Sequence, residues 1–120
     1  MKNISNSDAT GKLIFALDAA GLREAMPWIT LLSGHVGMFK VGKELFTAAG
    51  PGIIESIKQN GGRVFLDLKF HDIPNTVARA AEAAVKMNVD MFNIHAAGGG
   101  KMMREAIHAA VATAEKQGTT

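Results

Sequence analysis

The chain has 120 residues, of which 48% are hydrophobic, and this is enough for one domain with a modest core. Its 13 basic and 11 acidic residues are mixed along the sequence, so no basic run indicates binding to nucleic acid or to a membrane surface. There is no cysteine, which excludes disulfides and thiolate metal sites and favours a cytoplasmic location. We also expect no membrane span and no export signal, because no long apolar stretch occurs.

Short apolar segments alternate with helical sequence along the chain. The apolar segments that predict strands lie at residues 13–17, 36–41, 63–68 and 91–95. The helical segments that follow them lie at residues 22–32, 43–59, 74–87 and 101–117. Pro27 interrupts or bends the first helix, Gly50-Pro51-Gly52 breaks the second, and Gly118 is a candidate C-cap of the last. Strand starts recur roughly every 25 residues, a cadence that predicts an α/β fold with parallel strands.

Each predicted strand ends with a polar or ionisable residue on one face. Under the strand period of two, the residues that share such a face with apolar neighbours are Asp18, Lys40, Asp67 with Lys69, and Asn93 with His95. This pattern favours a (β/α)8 barrel, in which inward residues at the carboxyl ends of the strands meet at one site. The alternative is an open doubly wound sheet, but residues 18–21 lack its glycine-rich first turn.

The run from Phe65 to Pro74 adds three charges to the end of a buried-strand sequence. Asp67 and Lys69 lie side by side on one strand face, and Asp72 follows in the turn. Charges in a buried parallel strand need a partner or a function. A structural ion pair that closes the strand is one interpretation, and catalysis is the other.

Several residues have simpler interpretations. Asp72 could serve as the N-cap of the third helix, Asp18 as a loop cap, and Lys40 as a lysine that extends its amine from a strand end. The histidines form no ligand cluster in sequence, and His95 is interpreted as a hydrogen bonder at the strand end. The run Gly98-Gly99-Gly100-Lys101 lacks the flanking residues of a phosphate-binding loop and is interpreted as the fourth βα turn.

Three motifs together resemble the orotidine 5'-phosphate decarboxylase family. They are Leu17-Asp18, Phe39-Lys40-Val41-Gly42 and Asp67-x-Lys69-x-x-Asp72-Ile73-Pro74-Asn75-Thr76. The D-x-K-x-x-D spacing alone is shared with a wider suprafamily that includes magnesium-dependent sugar-phosphate decarboxylases and aldolases. In those relatives the position of Lys40 is usually acidic and helps to hold magnesium. The resemblance, which covers the chain after residue 11, therefore favours the metal-free orotidylate enzymes.

The resemblance implies a role for each matched residue. The implied catalytic residues are Lys40, Asp67, Lys69 and Asp72, and the implied substrate-binding residues are Asp18, Lys40 and Thr76. Lys69 would stabilise and protonate a carbanion at C6 of orotidylate, and Asp67 would lie beside the departing carboxylate. Asp72 and Thr76 would be contributed across a homodimer interface, so that two subunits share their active sites. The resemblance implies no cofactor and no metal.

The resemblance also implies a (β/α)8 barrel of roughly 250 residues, of which this chain covers about the first four βα units. We expect residues 1–11 to form a flexible polar N-terminus and residues 12–120 the N-terminal half of the barrel. The implied function is conversion of orotidylate to uridylate and CO2 in pyrimidine synthesis. Because the other half would carry the phosphate and pyrimidine contacts, the chain alone is expected to be inactive. The alternative is a half-barrel module that self-associates and has no turnover.

Overall fold

The computed structural model describes residues 6–119 and confirms the predicted α/β class. The strands are β1 (Ile14–Ala16), β2 (Met38–Gly42), β3 (Val64–Phe70) and β4 (Met91–Ile94). The α-helices are α1 (Asn6–Gly11), α2 (Leu22–Leu32), α3 (Lys43–Ala49), α4 (Gly52–Gln59), α5 (Pro74–Lys86) and α6 (Gly99–Gln117). The four strands form one sheet in the order β1-β2-β3-β4, as expected for consecutive βα units.

The chain divides within β3 into two compact units, the first extending to Phe65 and the second starting at Leu66. In the first unit β1 and β2 pair in parallel, with Ala16 opposite Lys40. The largest buried side chains of this unit are Leu17, Ile29, Phe39, Val41, Leu45, Ile53, Ile54, Ile57 and Val64. They come from β2, from β3, from the residue directly after β1, and from α2, α3 and α4, because each element turns an apolar face inward.

In the second unit α5 and α6 pack together through small and flexible side chains. The buried cluster consists of Val77, Ala81, Met102 and Ala106. Alanine at two of these positions lets the helix backbones approach closely, and the unbranched Met102 fills the space that remains. The partly buried Phe70, Phe92 and Ile94 of β3 and β4 pack against this cluster.

The predicted breaks in the helices are partly confirmed. Gly50 adopts a φ of 65° and separates α3 from α4, and Gly118 ends α6 in the left-handed conformation with φ 69° and ψ 28°. Pro27, by contrast, does not interrupt α2, which runs from Leu22 to Leu32. The proline removes one backbone hydrogen bond from the helix, but Ala25 and Ile29 are fully buried and their packing holds the helix together.

The element boundaries differ from the prediction at a few positions. β3 continues to Phe70, two residues beyond its predicted end, and α6 begins at Gly99, preceded by a short 3-10 turn at Ala96–Gly98. The flexible N-terminus expected over residues 1–11 stays a prediction. Part of it, residues 1–5, lies outside the described residues, and Asn6–Gly11 forms α1. Within residues 6–119, no helix is long and apolar enough to cross a membrane.

Candidate active site

The carboxyl end of β3 holds the ion pair that the sequence predicts. Lys69 Nζ donates a hydrogen bond to Asp67 Oδ1 over 2.7 Å. The Asp67 side chain is only 12% exposed, whereas that of Lys69 is 52% exposed. The carboxylate is therefore buried at the strand end, and the ammonium group that it holds remains accessible from solvent.

Lys69 has an unusual backbone conformation for a residue in a strand. Its φ is 51°, in the left-handed region that residues with a side chain rarely adopt. Its backbone N–H donates to Asn93 Oδ1 over 2.8 Å, so a side chain from β4 satisfies this group. Strained conformations of this kind cost about 1–3 kcal/mol and cluster at functional sites.

Asn93 joins the pair as a third member that sequence reasoning missed. Its Nδ2 donates to Asp67 Oδ1 over 2.6 Å. The strand period of β4 places Asn93 on the polar face of the strand but indicates no role for it. The available signal was a lone amide between the apolar residues Phe92 and Ile94, since a half-buried amide in a strand needs hydrogen-bond partners.

Asp72 and Thr76 lie just after β3 and are both exposed. The carboxylate of Asp72 accepts a hydrogen bond from the backbone N–H of Ile73 over 2.6 Å. Ile73 is the N-cap residue of α5, and no side chain caps this helix, so the alternative role of Asp72 as its N-cap is wrong. Thr76 lies in the first turn of α5.

An open depression of about 650 Å³ lies beside Asp72. It is lined by His71, Asp72, Ile73, Pro74, Ala97 and Gly98. The rings of His71 and His95 stack at one side, with centroids 4.6 Å apart and planes 21° from parallel. His95 Nδ1 accepts a hydrogen bond from the backbone N–H of Ala97 over 3.2 Å, which confirms the predicted role of His95 at the strand end.

The first unit holds the other two predicted residues, Asp18 and Lys40. The backbone N–H of Leu17 donates to the carbonyl of Lys40 over 2.9 Å, which places the end of β1 beside Lys40. Asp18 follows directly and is exposed. A Cβ atom on Gly42 would lie 3.8 Å from Lys40 Nζ, so the ammonium group lies close to the backbone at the end of β2. Asp18 and Lys40 therefore occupy the carboxyl ends of paired strands, as predicted.

No group of three or more His, Cys, Asp or Glu side chains within the described part of the chain is arranged to hold a metal ion. The chemistry that these residues offer is a fixed ammonium group beside a buried carboxylate, with an amide that binds the carboxylate and the backbone N–H of the lysine. Such a set can stabilise a developing negative charge and deliver a proton to it.

Residues 11–117 match the sequence model of the family described as "Orotidine 5'-phosphate decarboxylase / HUMPS family". The chain belongs to this family. Over 107 residues it is 61% identical to "Orotidine 5'-phosphate decarboxylase" of Syntrophus aciditrophicus (strain SB), an alignment that covers 88% of this chain and 43% of the relative. The family resemblance drawn from the motifs is therefore confirmed.

Two solved structures are similar to the chain. One is an uncharacterized conserved protein from Geobacillus kaustophilus, with a TM-score of 0.79 and 42% identity over 83% of this chain and 46% of that chain. The other is orotidine 5'-phosphate decarboxylase from Lactobacillus acidophilus, with a TM-score of 0.77 and 38% identity over 84% of this chain and 46% of that chain. The fold is that of the orotidine 5'-phosphate decarboxylase family, a (β/α)8 barrel, and the chain spans under half the length of these relatives.

Proposed function

We propose that the chain carries the catalytic ion pair of an orotidine 5'-phosphate decarboxylase, which converts orotidylate to uridylate and CO2. The observation that carries this proposal is the contact of 2.7 Å between the accessible ammonium group of Lys69 and the buried carboxylate of Asp67. Membership of the decarboxylase family and 61% identity to a relative of that name support it.

In the proposed reaction, a fixed positive charge stabilises the transition state. When the bond between C6 and the carboxylate breaks, CO2 leaves and the electron pair remains on C6 in the plane of the ring. The ring cannot delocalise this pair, so nearby charges must stabilise it. In the proposed mechanism the Lys69 ammonium lies beside C6, stabilises the carbanion and then transfers one proton to it, which leaves a neutral amine.

Asp67 has two roles in this proposal. Its carboxylate holds the Lys69 ammonium in one direction through the 2.7 Å hydrogen bond. It also lies beside the substrate carboxylate, where repulsion between two negative charges in a site with little water raises the energy of the bound substrate. That repulsion is relieved when CO2 departs, so it favours the reaction over simple binding.

The remaining predicted residues bind the substrate or add to the charged side chains around it. Lys40 contributes a second ammonium at the end of β2, and Asp18 accepts hydrogen bonds from the ribose hydroxyl groups. Asp72 and Thr76 act in the site of a partner subunit of a homodimer. Their exposure, in the turn after β3 and in the first turn of α5, supports a role outside their own subunit.

Lys40 also supports orotidylate over a sugar phosphate as the substrate. The sugar-phosphate relatives resemble this chain in the D-x-K-x-x-D run but usually have an acidic magnesium ligand at the matching position of the second strand. A lysine there does not suit magnesium, which takes oxygen ligands such as carboxylates, because its side chain carries no oxygen. We therefore propose a reaction without metal. A nucleotide intermediate of pyrimidine synthesis and a chain without cysteine both fit a cytoplasmic enzyme.

A hybrid enzyme tests this function directly. In the hybrid, residues 11–117 replace the matching segment of the Syntrophus aciditrophicus relative, so that the ion pair comes from this chain. We expect the hybrid to decarboxylate orotidylate at a rate that EDTA leaves unchanged, as followed by ultraviolet absorbance. The Lys69→Ala hybrid should lose both the charge and the proton donor, and kcat should fall by at least about a thousandfold, or roughly 4 kcal/mol.

Three outcomes would contradict the proposal. A folded hybrid without turnover would reject the assigned reaction. Loss of activity with EDTA and its recovery with magnesium would assign the chain to the sugar-phosphate relatives. A Lys69→Ala hybrid with normal turnover would make the ion pair structural.

A second candidate is a self-associating module without turnover, and one surface favours it. Ile107 and Val111 on α6 are 56% and 52% exposed, and they line an apolar cavity of about 250 Å³ together with Phe92 and Ile94. Exposed apolar surface of this kind is usually covered by further protein. We expect the 120-residue chain alone to associate in light scattering and to show no turnover. Robust turnover by the isolated chain would mean that it contains its own phosphate-binding residues.

A further inference from the structure

Asn93 occupies a position that links the two charged residues of the site. It lies in β4 and is half buried. Its Oδ1 accepts from the backbone N–H of Lys69 over 2.8 Å, and its Nδ2 donates to Asp67 Oδ1 over 2.6 Å. A backbone N–H can only donate and a carboxylate can only accept, so the two partners together determine the orientation of the amide.

The first contact determines the backbone conformation of Lys69. A left-handed conformation costs a residue with a side chain about 1–2 kcal/mol, so other interactions must hold it. At Lys69 the N–H that would otherwise join the strand ladder is bound by Asn93. Without this acceptor, the backbone would gain energy by returning to an extended conformation. That rotation at Cα would change the direction in which the lysine side chain leaves the strand.

The second contact matters most after proton transfer. Asp67 Oδ1 receives two donors, Lys69 Nζ and Asn93 Nδ2. When Lys69 gives a proton to the substrate, its positive charge is lost and its hydrogen bond to the carboxylate weakens. Asn93 keeps a donor on the buried carboxylate throughout this step. It therefore limits the movement of Asp67 while the charge of its partner changes.

We infer that Asn93 is a positioning residue for the Asp67–Lys69 pair. It holds Lys69 in its left-handed conformation through one hydrogen bond and orients Asp67 through the other. The effect on catalysis rests on the proposed function, whereas the effect on the geometry of the pair does not. The two effects can therefore be tested separately.

Two variants of the hybrid enzyme separate the contacts. Asn93→Ala removes both hydrogen bonds. Asn93→Asp has nearly the same shape and keeps the acceptor for the Lys69 N–H, but it replaces the donor with a carboxylate facing Asp67. The matched control is Asn60→Asp, the same change at an exposed asparagine that directly follows α4 as its C-cap.

We expect kcat of the Asn93→Ala hybrid to fall about a hundredfold, the scale of a misplacement of about 1 Å, with KM changed by less than about threefold. The Asn93→Asp hybrid should also lose kcat selectively, and Asn60→Asp should change neither constant. A crystal structure of the Asn93→Ala hybrid should show that φ of Lys69 has left the left-handed region and that Nζ has moved from Asp67. If the alanine variant does not fold, Asn93→Asp supplies the kinetic test.

Two results would overturn the inference. The first is an Asn93→Ala crystal structure in which Lys69 keeps its conformation and its contact with Asp67. The second is kinetic: kcat unchanged in both variants, or kcat lowered only in proportion to lost folded protein, would show a purely structural role. If the unmodified hybrid has no turnover, the proposed function fails, and the crystal structure still decides whether Asn93 holds Lys69.

Discussion

At the scale of single residues, the site depends on a conformation that few residues adopt. Lys69 has a φ of 51° inside β3, where its neighbours are extended. Glycine adopts this region without steric cost, but it carries no amine. The proposed chemistry requires the amine, so the strand holds a lysine at a position where its backbone would favour glycine. We therefore expect strain at this position to change the free energy of unfolding of variants at Lys69.

We expect the Lys69→Gly hybrid to be more stable than the Lys69→Ala hybrid by about 1 kcal/mol, because alanine retains the cost of the left-handed conformation. Chemical denaturation measures this difference. The control is the same pair of changes at Ile14, an exposed residue of β1, where alanine should be the more stable by roughly 0.5–1 kcal/mol. Equal stabilities of the two Lys69 variants would show that the conformation is not strained.

At the scale of elements, α5 has a buried apolar face and an exposed charged face. Val77, Ala81 and Ala84 are buried, whereas a row of charges lies on the other side. Glu82 accepts from Lys86 Nζ over 2.7 Å and from an Arg79 guanidinium nitrogen over 3.0 Å. These bonds, that of Lys86 first and that of Arg79 second, lower the pKa of Glu82 below its usual value.

This shift predicts how the stability of α5 depends on pH. Because the folded-state pKa of Glu82 is lowered, its contribution is present above the unfolded pKa and is lost as pH falls through the folded pKa. Glu82→Gln should therefore lower the midpoint of thermal unfolding of the hybrid slightly at pH 7, and the difference should disappear in acid.

The same change at Glu105, an exposed residue of α6, is the control. High salt should reduce the Glu82 difference, because its partners Arg79 and Lys86 are largely exposed and dissolved ions can screen their charges. A difference at Glu82 that persisted unchanged in acid would show that the glutamine alters packing rather than charge.

At the scale of the whole molecule, the proposed enzyme needs protein beyond this chain. The chain spans 43% of a relative that is 61% identical to it. The proposed homodimer also places Asp72 in the site of its partner, while Lys40 serves its own subunit. This arrangement predicts that two different inactive subunits can restore activity together.

Lys40→Ala and Asp72→Asn hybrids should each be inactive as homodimers. After subunit exchange, a mixed dimer has one site with both changes and one with neither, so about a quarter of the normal site activity should return from an equal random mixture. Asp72→Asn keeps the side-chain size, which limits effects on packing. If activity does not rise although mass measurements show exchange, Asp72 acts within its own subunit.

Much of the fold and part of the site could be predicted from local sequence. The alternation of apolar strands with helical segments predicts the α/β class, because both periods are properties of short segments. The strand period of two also predicts that Asp67 and Lys69 are neighbours, as their 2.7 Å contact confirms. The motifs around Lys40 and Asp67 were sufficient to indicate the family that the comparison with known proteins then confirmed.

Only the tertiary structure decided how the charged pair is held. Asn93 is 26 residues from Asp67 in sequence, so no local period predicts their hydrogen bond. The left-handed conformation of Lys69 could not be foreseen either, because lysine has no preference for it and a contact from another strand holds it there. The sequence by itself determined which residues occupy the end of β3 and which face they share. Their geometry depends on β4, since hydrogen bonds between strands form only once the chain has folded.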